Sequence, residues 1–259
     1  LRRRVAVRVL KALKEDKATG PDLLLAKPLK RFYAALATPV TKLARLMLQT
    51  GVWPDTWRFH WVCPLYKKGA VSSAANYRGV HLTPVLSKVV ERCVSSVLVP
   101  FLEATNAYGE SQWAFQRGRS CADLVALLVL TWILAREKSN KVAVFFSDIS
   151  GAFDRVRAAR LLEKCRRAGV GATLLNFLQS YLRPRTAYVL VDGAHSEPLL
   201  LEDEVFQGTV LGPPLWNTFF SDVDEAACSA KATACKFADD LSCYKLFLAT
   251  SSTEEVLKD

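Results

Sequence analysis

The pattern of apolar and polar positions predicts helices over most of the first half of the chain and short strands set among helices in the second. Residues 1–17 read as a basic helix, and the Ala18-Thr19-Gly20-Pro21-Asp22 stretch breaks it. Residues 29–49 repeat with a period near 3.6, which predicts one long helix interrupted at Pro39, with Gly51 near its C-cap. Residues 57–65, rich in aromatic and β-branched side chains, predict a strand that Lys67-Lys68-Gly69 turns out of. Thr83 is the expected N-cap of a helix with Pro84 at its first position, running to about residue 102. Residues 124–135 are apolar except for Thr131. The run is too short to span a bilayer and reads as a buried helix.

Residues 142–148 predict a buried strand. Helices follow over 157–168, with Leu161, Leu162 and Cys165 on one face, and over 172–182. Residues 187–191 and 198–206 predict a hairpin around Asp192-Gly193 with a loop longer than two residues. Pro213 and Pro214 open a helix to about residue 227. Strands over 234–238 and 241–246 then flank a turn at Asp239-Asp240. The irregular alternation of helices, strands and hairpins argues for an α+β fold.

The composition narrows the classes. Half of the 259 residues are hydrophobic, so the chain can bury a core. A formal charge of +10 suits a polyanionic partner, because surface Lys and Arg displace counterions from phosphates. Arg2, Arg3 and Arg4 are read as a solvated helix end or an arm toward nucleic acid. The seven cysteines are odd in number and show no CxxC spacing. They suggest neither zinc nor a disulfide framework, but reduced, mostly buried thiols of the cytosol or nucleus. His60, His81 and His195 are scattered and suggest no histidine acid–base pair. No GxSxG or P-loop pattern occurs, and Gly169-Val170-Gly171 reads as a helix stop. The chain begins at Leu1 without Met or a signal-like region, which suggests a piece of a longer protein with no membrane partner.

Two acidic spots carry the candidate chemistry. Asp148 closes the apolar run 142–146, and Asp239-Asp240 sits between two short apolar strands. An aspartate in such a run is costly unless it is paired or binds a cation. Neighbouring carboxylates also repel one another, and a divalent ion relieves that repulsion. If the strands lie side by side, the two spots form an all-oxygen site of the kind Mg²⁺ favours. Taken alone, Asp239-Asp240 reads more readily as a plain polar turn than as a metal site.

The surrounding motifs change the weight of that reading. Residues 145–154 (FFSDISGAFD) resemble the D-x-x-x-A-F-D motif of reverse transcriptases. Residues 206–217 (FQGTVLGPPLWN) resemble their Q-G-x-x-L-S-P-x-L-F-N motif, and Phe237-Ala238-Asp239-Asp240 resembles their Y-x-D-D box. Upstream, residues 17–22 (KATGPD), 53–57 (WPDTW), 65–69 (LYKKG), 76–83 (NYRGVHLT) and 112–120 (QWAFQRGRS) are similar to segments of the non-LTR, LINE-type retrotransposon branch. The order and spacing match over nearly the whole chain. Phe237 stands where the family has Tyr, Gly79 where it has Pro, His81 where it has Ser, and Gly212 and Pro214 where it has Ser and Leu.

The resemblance implies a right-hand polymerase fold, with residues 1–140 mainly fingers and 141–259 mainly palm. It implies an RNA-directed DNA polymerase that adds dNTPs to a DNA primer on an RNA template, with two Mg²⁺ ions or Mn²⁺ in their place. Asp148 and Asp239 match the metal-binding aspartates, Asp240 their catalytic neighbour, and the Ile149 carbonyl a further ligand. Phe153 matches the ring that excludes a ribose 2′-hydroxyl. Gln207 matches the contact to the incoming nucleotide, and Gly208 a close approach of backbone to template–primer. Arg78 and Lys67 or Lys68 match the cations that hold the triphosphate. Arg117 and Arg119 are candidates for the template backbone, and Asp154 is assigned an orienting role. Only 19 residues follow Asp240, so the later palm motifs, the primer grip and the thumb are expected to lie outside the chain, which alone would hold a primer poorly. A group II intron-type enzyme, an RNA-dependent RNA polymerase and a non-catalytic nucleic-acid-binding remnant are the competing readings. Placement in the nucleus or cytoplasm follows from the family, and oligomeric state stays open.

Overall fold

The computed structural model describes residues 1–149 and 151–258, without the side chains of Leu257 and Lys258. Ser150, within the first acidic motif, lies outside the described residues. Its helices are α1 (Arg3–Lys11), α2 (Ala26–Arg31), α3 (Tyr33–Thr50), α4 (Val85–Ala104), α5 (Cys121–Glu137), α6 (Ala158–Arg167), α7 (Ala172–Tyr181), α8 (Gly212–Phe219), α9 (Val223–Ser229) and α10 (Thr253–Lys258). Its strands are β1 (Phe59–Tyr66), β2 (Tyr77–Leu82), β3 (Asn140–Ser147), β4 (Arg185–Val191), β5 (Ala194–His195), β6 (Leu199–Leu201), β7 (Thr233–Phe237) and β8 (Asp240–Leu248). Helix and sheet are mixed, as the α+β expectation holds.

Two sheets form. The first runs β2-β1-β4-β5, with β6 also on β4, and it takes strands from before and after residue 140. β1 pairs antiparallel with β2 and parallel with β4. The second is the antiparallel sheet β3-β8-β7. The main core lies among the helices and takes its side chains from an i, i+4 stripe of α4 (Val85, Val89, Val90, Cys93, Val94, Leu98, Leu102) and from α1, α3, α6, α7 and α8. Trp53 and Trp57 join it, and Trp53 packs edge-on to Trp57, Phe177 and Tyr181. Gly20 approaches the backbone between Thr83 and Pro84 so closely that a Cβ would lie 2.4 Å from the Thr83 carbonyl, so the 17–22 segment can only pack there with glycine.

Several expectations are corrected. The 29–49 region is two helices that break at Phe32, and α3 passes through Pro39. Arg3 braces the turn before that proline, donating to the Ala34 carbonyl at 3.0 Å and to Thr38 Oγ1 at 3.1 Å. The N-cap of α4 is Pro84 rather than Thr83, because Pro84 itself stays extended (φ −50°, ψ 136°) and the helix starts only at Val85. Asp192-Gly193 is a two-residue turn, with Val191 paired to Ala194 and both turn residues at positive φ. The return strand then splits at Pro198, which has no N–H to give, and ends at Leu201.

The 124–135 helix and the strand before Asp148 are also less buried than expected. In α5 only Leu124, Leu128 and Ala135 are buried, while Val125, Leu130 and Leu134 are more than half exposed. β3 is an edge strand, and Phe145 and Phe146, which alternate to its two faces, are exposed as well. Among the described residues, α5 and the sheet bury a small cluster (Leu124, Leu128 and Cys235), with Trp132, Phe237 and Tyr244 partly buried against it. Of the cysteines, all free, only Cys93, Cys165 and Cys235 are buried. Among the described residues no helix is long and apolar enough to cross a membrane.

Candidate active site

The site is assembled by strand register. Ser147, the last residue of β3, pairs with Leu241, and Phe237 at the end of β7 pairs with Asp240 at the start of β8. Asp148 therefore leaves β3 beside the turn that joins β7 to β8. That turn is Ala238-Asp239 rather than Asp239-Asp240, and Ala238 takes it with a φ of +59°. Asp148 and Asp240 are exposed and Asp239 is half-buried. Thus two acidic spots about ninety residues apart in sequence meet at one end of a three-stranded sheet.

Among the described residues no group of three or more His, Cys, Asp or Glu side chains is gathered to hold a metal. The chain offers a pair of carboxylates and leaves the other positions to carbonyl, water or substrate oxygens. Such an all-oxygen, incomplete donor set fits a hard divalent cation that keeps part of its shell for phosphates.

The turn is held from behind. The Gln112 side chain is fully buried; its Oε1 accepts from the Ala238 N–H at 3.0 Å, and its Nε2 donates to the Ala238 carbonyl at 3.3 Å. Trp216 Nε1 donates to the same carbonyl at 3.0 Å. The other side of that indole stacks on Phe153 (ring centroids 5.4 Å apart, planes at 20°), so one side chain of α8 supports both the turn and the ring after Asp148. The Phe153 carbonyl accepts from the Val205 N–H at 2.8 Å, which ties this ring to the segment that carries Gln207.

Gln207 is half-buried and its Nε2 reaches Asp154 Oδ1 at 3.4 Å. Gly208, at a φ of +76°, passes so close to β2 that a Cβ would lie 2.5 Å from the His81 carbonyl, so the chain's own backbone already requires glycine there. The N–H groups of Val210 and Leu211 donate to Glu91 Oε2 at 2.7 and 3.2 Å. Glu91, fully buried on α4, also accepts from the Tyr181 hydroxyl at 3.2 Å, and burial pushes its carboxyl above the usual range.

Arg185, almost fully buried, lies 3.8 Å over the Phe206 ring, bonds His60 Nε2 at 2.9 Å and donates to the Tyr181 carbonyl at 3.0 Å. His60 and His81, scattered in sequence, are brought together across β1 and β2, their Nδ1 atoms 3.3 Å apart. Burial and the Arg185 charge lower His60 to about 2, and burial lowers His81 too, so the pair is a neutral structural one. Burial, with the Asp154 charge behind it, pushes Glu204 up to about 7.

The basic candidates lie apart from the carboxylates in the chain but on exposed positions. Leu65 pairs with Arg78 across β1 and β2, and Lys67, one residue past the end of β1, donates its N–H to the Asn76 carbonyl at 2.8 Å. Lys68 lies in the following bend. Arg117 is exposed, whereas Arg119 stacks 5.2 Å over Trp113 and donates to the carbonyls of Glu110 (3.1 Å) and Gln112 (2.5 Å). Ile149 is half-buried against the main core. One concavity of about 1100 Å³ is lined by Glu110, Trp113, Lys164 and Asp224 among others and by none of the candidate residues. It is a mixed-charge cleft away from the acidic turn, so the chemistry of the carboxylates rather than cleft size marks the site.

The sequence model of the family described as reverse transcriptase (RNA-dependent DNA polymerase) matches residues 65–257, three quarters of the chain. The chain belongs to this family. The reverse transcriptase domain is 29% identical over 208 residues to the RNA-directed DNA polymerase from mobile element jockey of Drosophila melanogaster, covering 80% of this chain and 23% of that protein. It is 27% identical over 242 residues to the probable RNA-directed DNA polymerase from transposon BS (91% and 27% covered) and 28% over 229 residues to that from transposon X-element (87% and 25%), both of the same fly. The relatives place it with the non-LTR retrotransposon reverse transcriptases. It spans about a quarter of the length of these curated relatives. Sequence reasoning missed Gln112, Trp216 and Glu91 around the candidate site. Gln112 and Trp216 stood inside quoted motifs, but which backbone groups they would meet has no sequence signal.

Proposed function

We propose that this domain is the RNA-directed DNA polymerase of a non-LTR retrotransposon protein, which extends a DNA primer on an RNA template with deoxynucleoside triphosphates. The observation that carries the reading is the register that sets Asp148 beside the Ala238-Asp239 turn. The Asp148 and Asp239 carboxylates would hold two Mg²⁺ ions, or Mn²⁺, with the Ile149 carbonyl as a further ligand and Asp240 as the neighbouring catalytic carboxylate. Bound there, such ions activate the primer 3′-hydroxyl and stabilise the leaving pyrophosphate.

The remaining roles fall to the chain's own side chains. Phe153, held flat on Trp216, offers a 2′-hydroxyl neither space nor a hydrogen bond. Gln207, tethered to Asp154, faces the incoming nucleotide, with Gly208 beside it. Arg78 of β2 and Lys67, just past the end of β1, hold the triphosphate, a guanidinium gripping phosphate oxygens in pairs. Arg117 and Arg119 track the template backbone. In this reading residues 1–140 act mainly as fingers and 141–259 mainly as palm of a right-hand polymerase, working in the nucleus or cytoplasm.

Primer extension on an RNA template with a DNA primer tests the proposal. Synthesis that needs Mg²⁺ or Mn²⁺ and disappears in Asp239→Asn is the expected result. Salt-sensitive template binding without synthesis, in the full-length protein, would overturn it in favour of a non-catalytic binding role.

A further inference from the structure

We propose that Gln112 is a positioning residue for the acidic turn: its side-chain amide clamps the Ala238 peptide and thereby aims Asp239. The inference rests on the reading of Asp239 as a cation ligand. It starts from an energetic difficulty. Ala238 takes a left-handed φ of +59° without being glycine, a conformation that costs free energy and persists only where surroundings impose it.

Gln112 imposes it with both ends of one amide. Oε1 accepts from the N–H of Ala238 (3.0 Å), Trp113 (3.1 Å) and Ala114 (3.0 Å), and Nε2 donates to the Ala238 carbonyl at 3.3 Å. Three converging N–H donors also settle which end of the amide is oxygen, since a reversed amide would set NH₂ against all three.

The clamp is itself anchored. Residues 111–113 run parallel beside β7, with Lys236 N–H donating to the Ser111 carbonyl and Trp113 N–H to the Lys236 carbonyl, each at 2.8 Å. Arg119 and the Gln116 Nε2 both donate to the Gln112 carbonyl. Within β7, Lys236 is fully buried and its Nζ pairs at 2.8 Å with Asp224, which also accepts from the Ser111 N–H at 3.4 Å. The turn thus has a rigid floor, while among the described residues nothing bonds the Asp239 carboxylate itself. Groups just behind a metal ligand typically change affinity or activity 10–100-fold when removed. Gln112 fits that place, reached through backbone rather than through the ligand's own side chain.

Gln112→Met removes all four bonds at nearly constant volume, and Gln112→Glu keeps an accepting oxygen but loses the donor to Ala238. Three measurements on the full-length protein decide: amide hydrogen exchange across residues 237–240, Mn²⁺ affinity without substrate by electron paramagnetic resonance, and kcat and dNTP KM in primer extension. In Gln112→Met the turn exchanges faster, Mn²⁺ affinity and kcat each fall about 10–100-fold, and KM for dNTP stays within about threefold. Gln112→Glu lies between it and the native protein. Unchanged Mn²⁺ affinity and kcat in Gln112→Met overturns the proposal. If that variant does not fold, the same result in Gln112→Glu does so. Asp239→Asn, measured in parallel, separates the two layers. If it keeps native Mn²⁺ affinity and synthesis, the reading of Asp239 fails and the role of Gln112 with it; if it loses both while the Gln112 variants do not, only the clamp is refuted.

Discussion

The acidic turn and the interior behind the Gln207 loop handle charge in opposite ways. Asp148 and Asp240 are exposed, Asp239 is half-buried, and among the described residues no hydrogen bond or ion pair engages their carboxylates. Behind the loop, Glu91, Arg185 and His60 are buried, and each is bonded or stacked on protein groups. Water solvates the first set, so these residues need correct placement rather than partners. The second set is shut off from bulk solvent, and an unpaired charge there would cost several kcal/mol. The exposed carboxylates stay available to a ligand from outside because the backbone that carries them is fixed elsewhere.

Substitutions at the turn sharpen the contrast most. Asp148→Asn and Asp239→Asn are expected to lower primer extension by on the order of 10³-fold or more while leaving stability within about 0.5 kcal/mol, since no protein partner is lost. Extension assays paired with urea melts check both halves, and a large loss of stability would erase the distinction drawn here.

Arg185→Met should do the reverse. It leaves Glu91 buried with one charge fewer to offset it and breaks the bonds to His60 and the Tyr181 carbonyl, costing about 3 kcal/mol in a urea melt. A neutral result would show that the cluster is no more than packing.

The pH dependence follows with a defined sign. His60 is lowered to about 2 in the folded chain and returns to its ordinary 6.5 when unfolded. Its contribution is therefore fully present above pH 6.5 and is lost as the pH falls toward 2, because only the unfolded state takes up the proton. Between pH 6.5 and 5 this amounts to about 2 kcal/mol. Denaturant midpoints at pH 7 and 5 should separate widely for the native chain and less for His60→Gln. Gly208→Ala is expected to cost about 2 kcal/mol or more, the strain of a positive-φ alanine adding to its clash with the His81 carbonyl, read in the same melts.

The elements themselves were largely legible in the chain. The α6 and α7 helices with the Gly169 stop, β1 and the α3 end at Gly51 follow from local periodicity and from glycine, which depend on neighbours a few residues away. Where expectation failed, a distant partner decided. α3 tolerates Pro39 in a stretch that Arg3 braces. The apolar stretch of α5 was read as buried, yet it meets a three-stranded sheet on one side only. The acidic turn moved by one residue because Phe237 pairs with Asp240.

By itself, the sequence determined which residue types could do chemistry and that they stand in the order and spacing of a reverse transcriptase. Carboxylates, a flat ring and guanidinium groups carry their reactivity in their covalent structure, wherever the chain puts them. Only the tertiary structure decided that Asp148 and Asp239 share a sheet end, that Gln112 and Trp216 hold the turn, and that two histidines far apart in sequence form one neutral pair. Those relations are distances between groups remote in sequence, set by strand register and by the cost of leaving buried polar groups without partners.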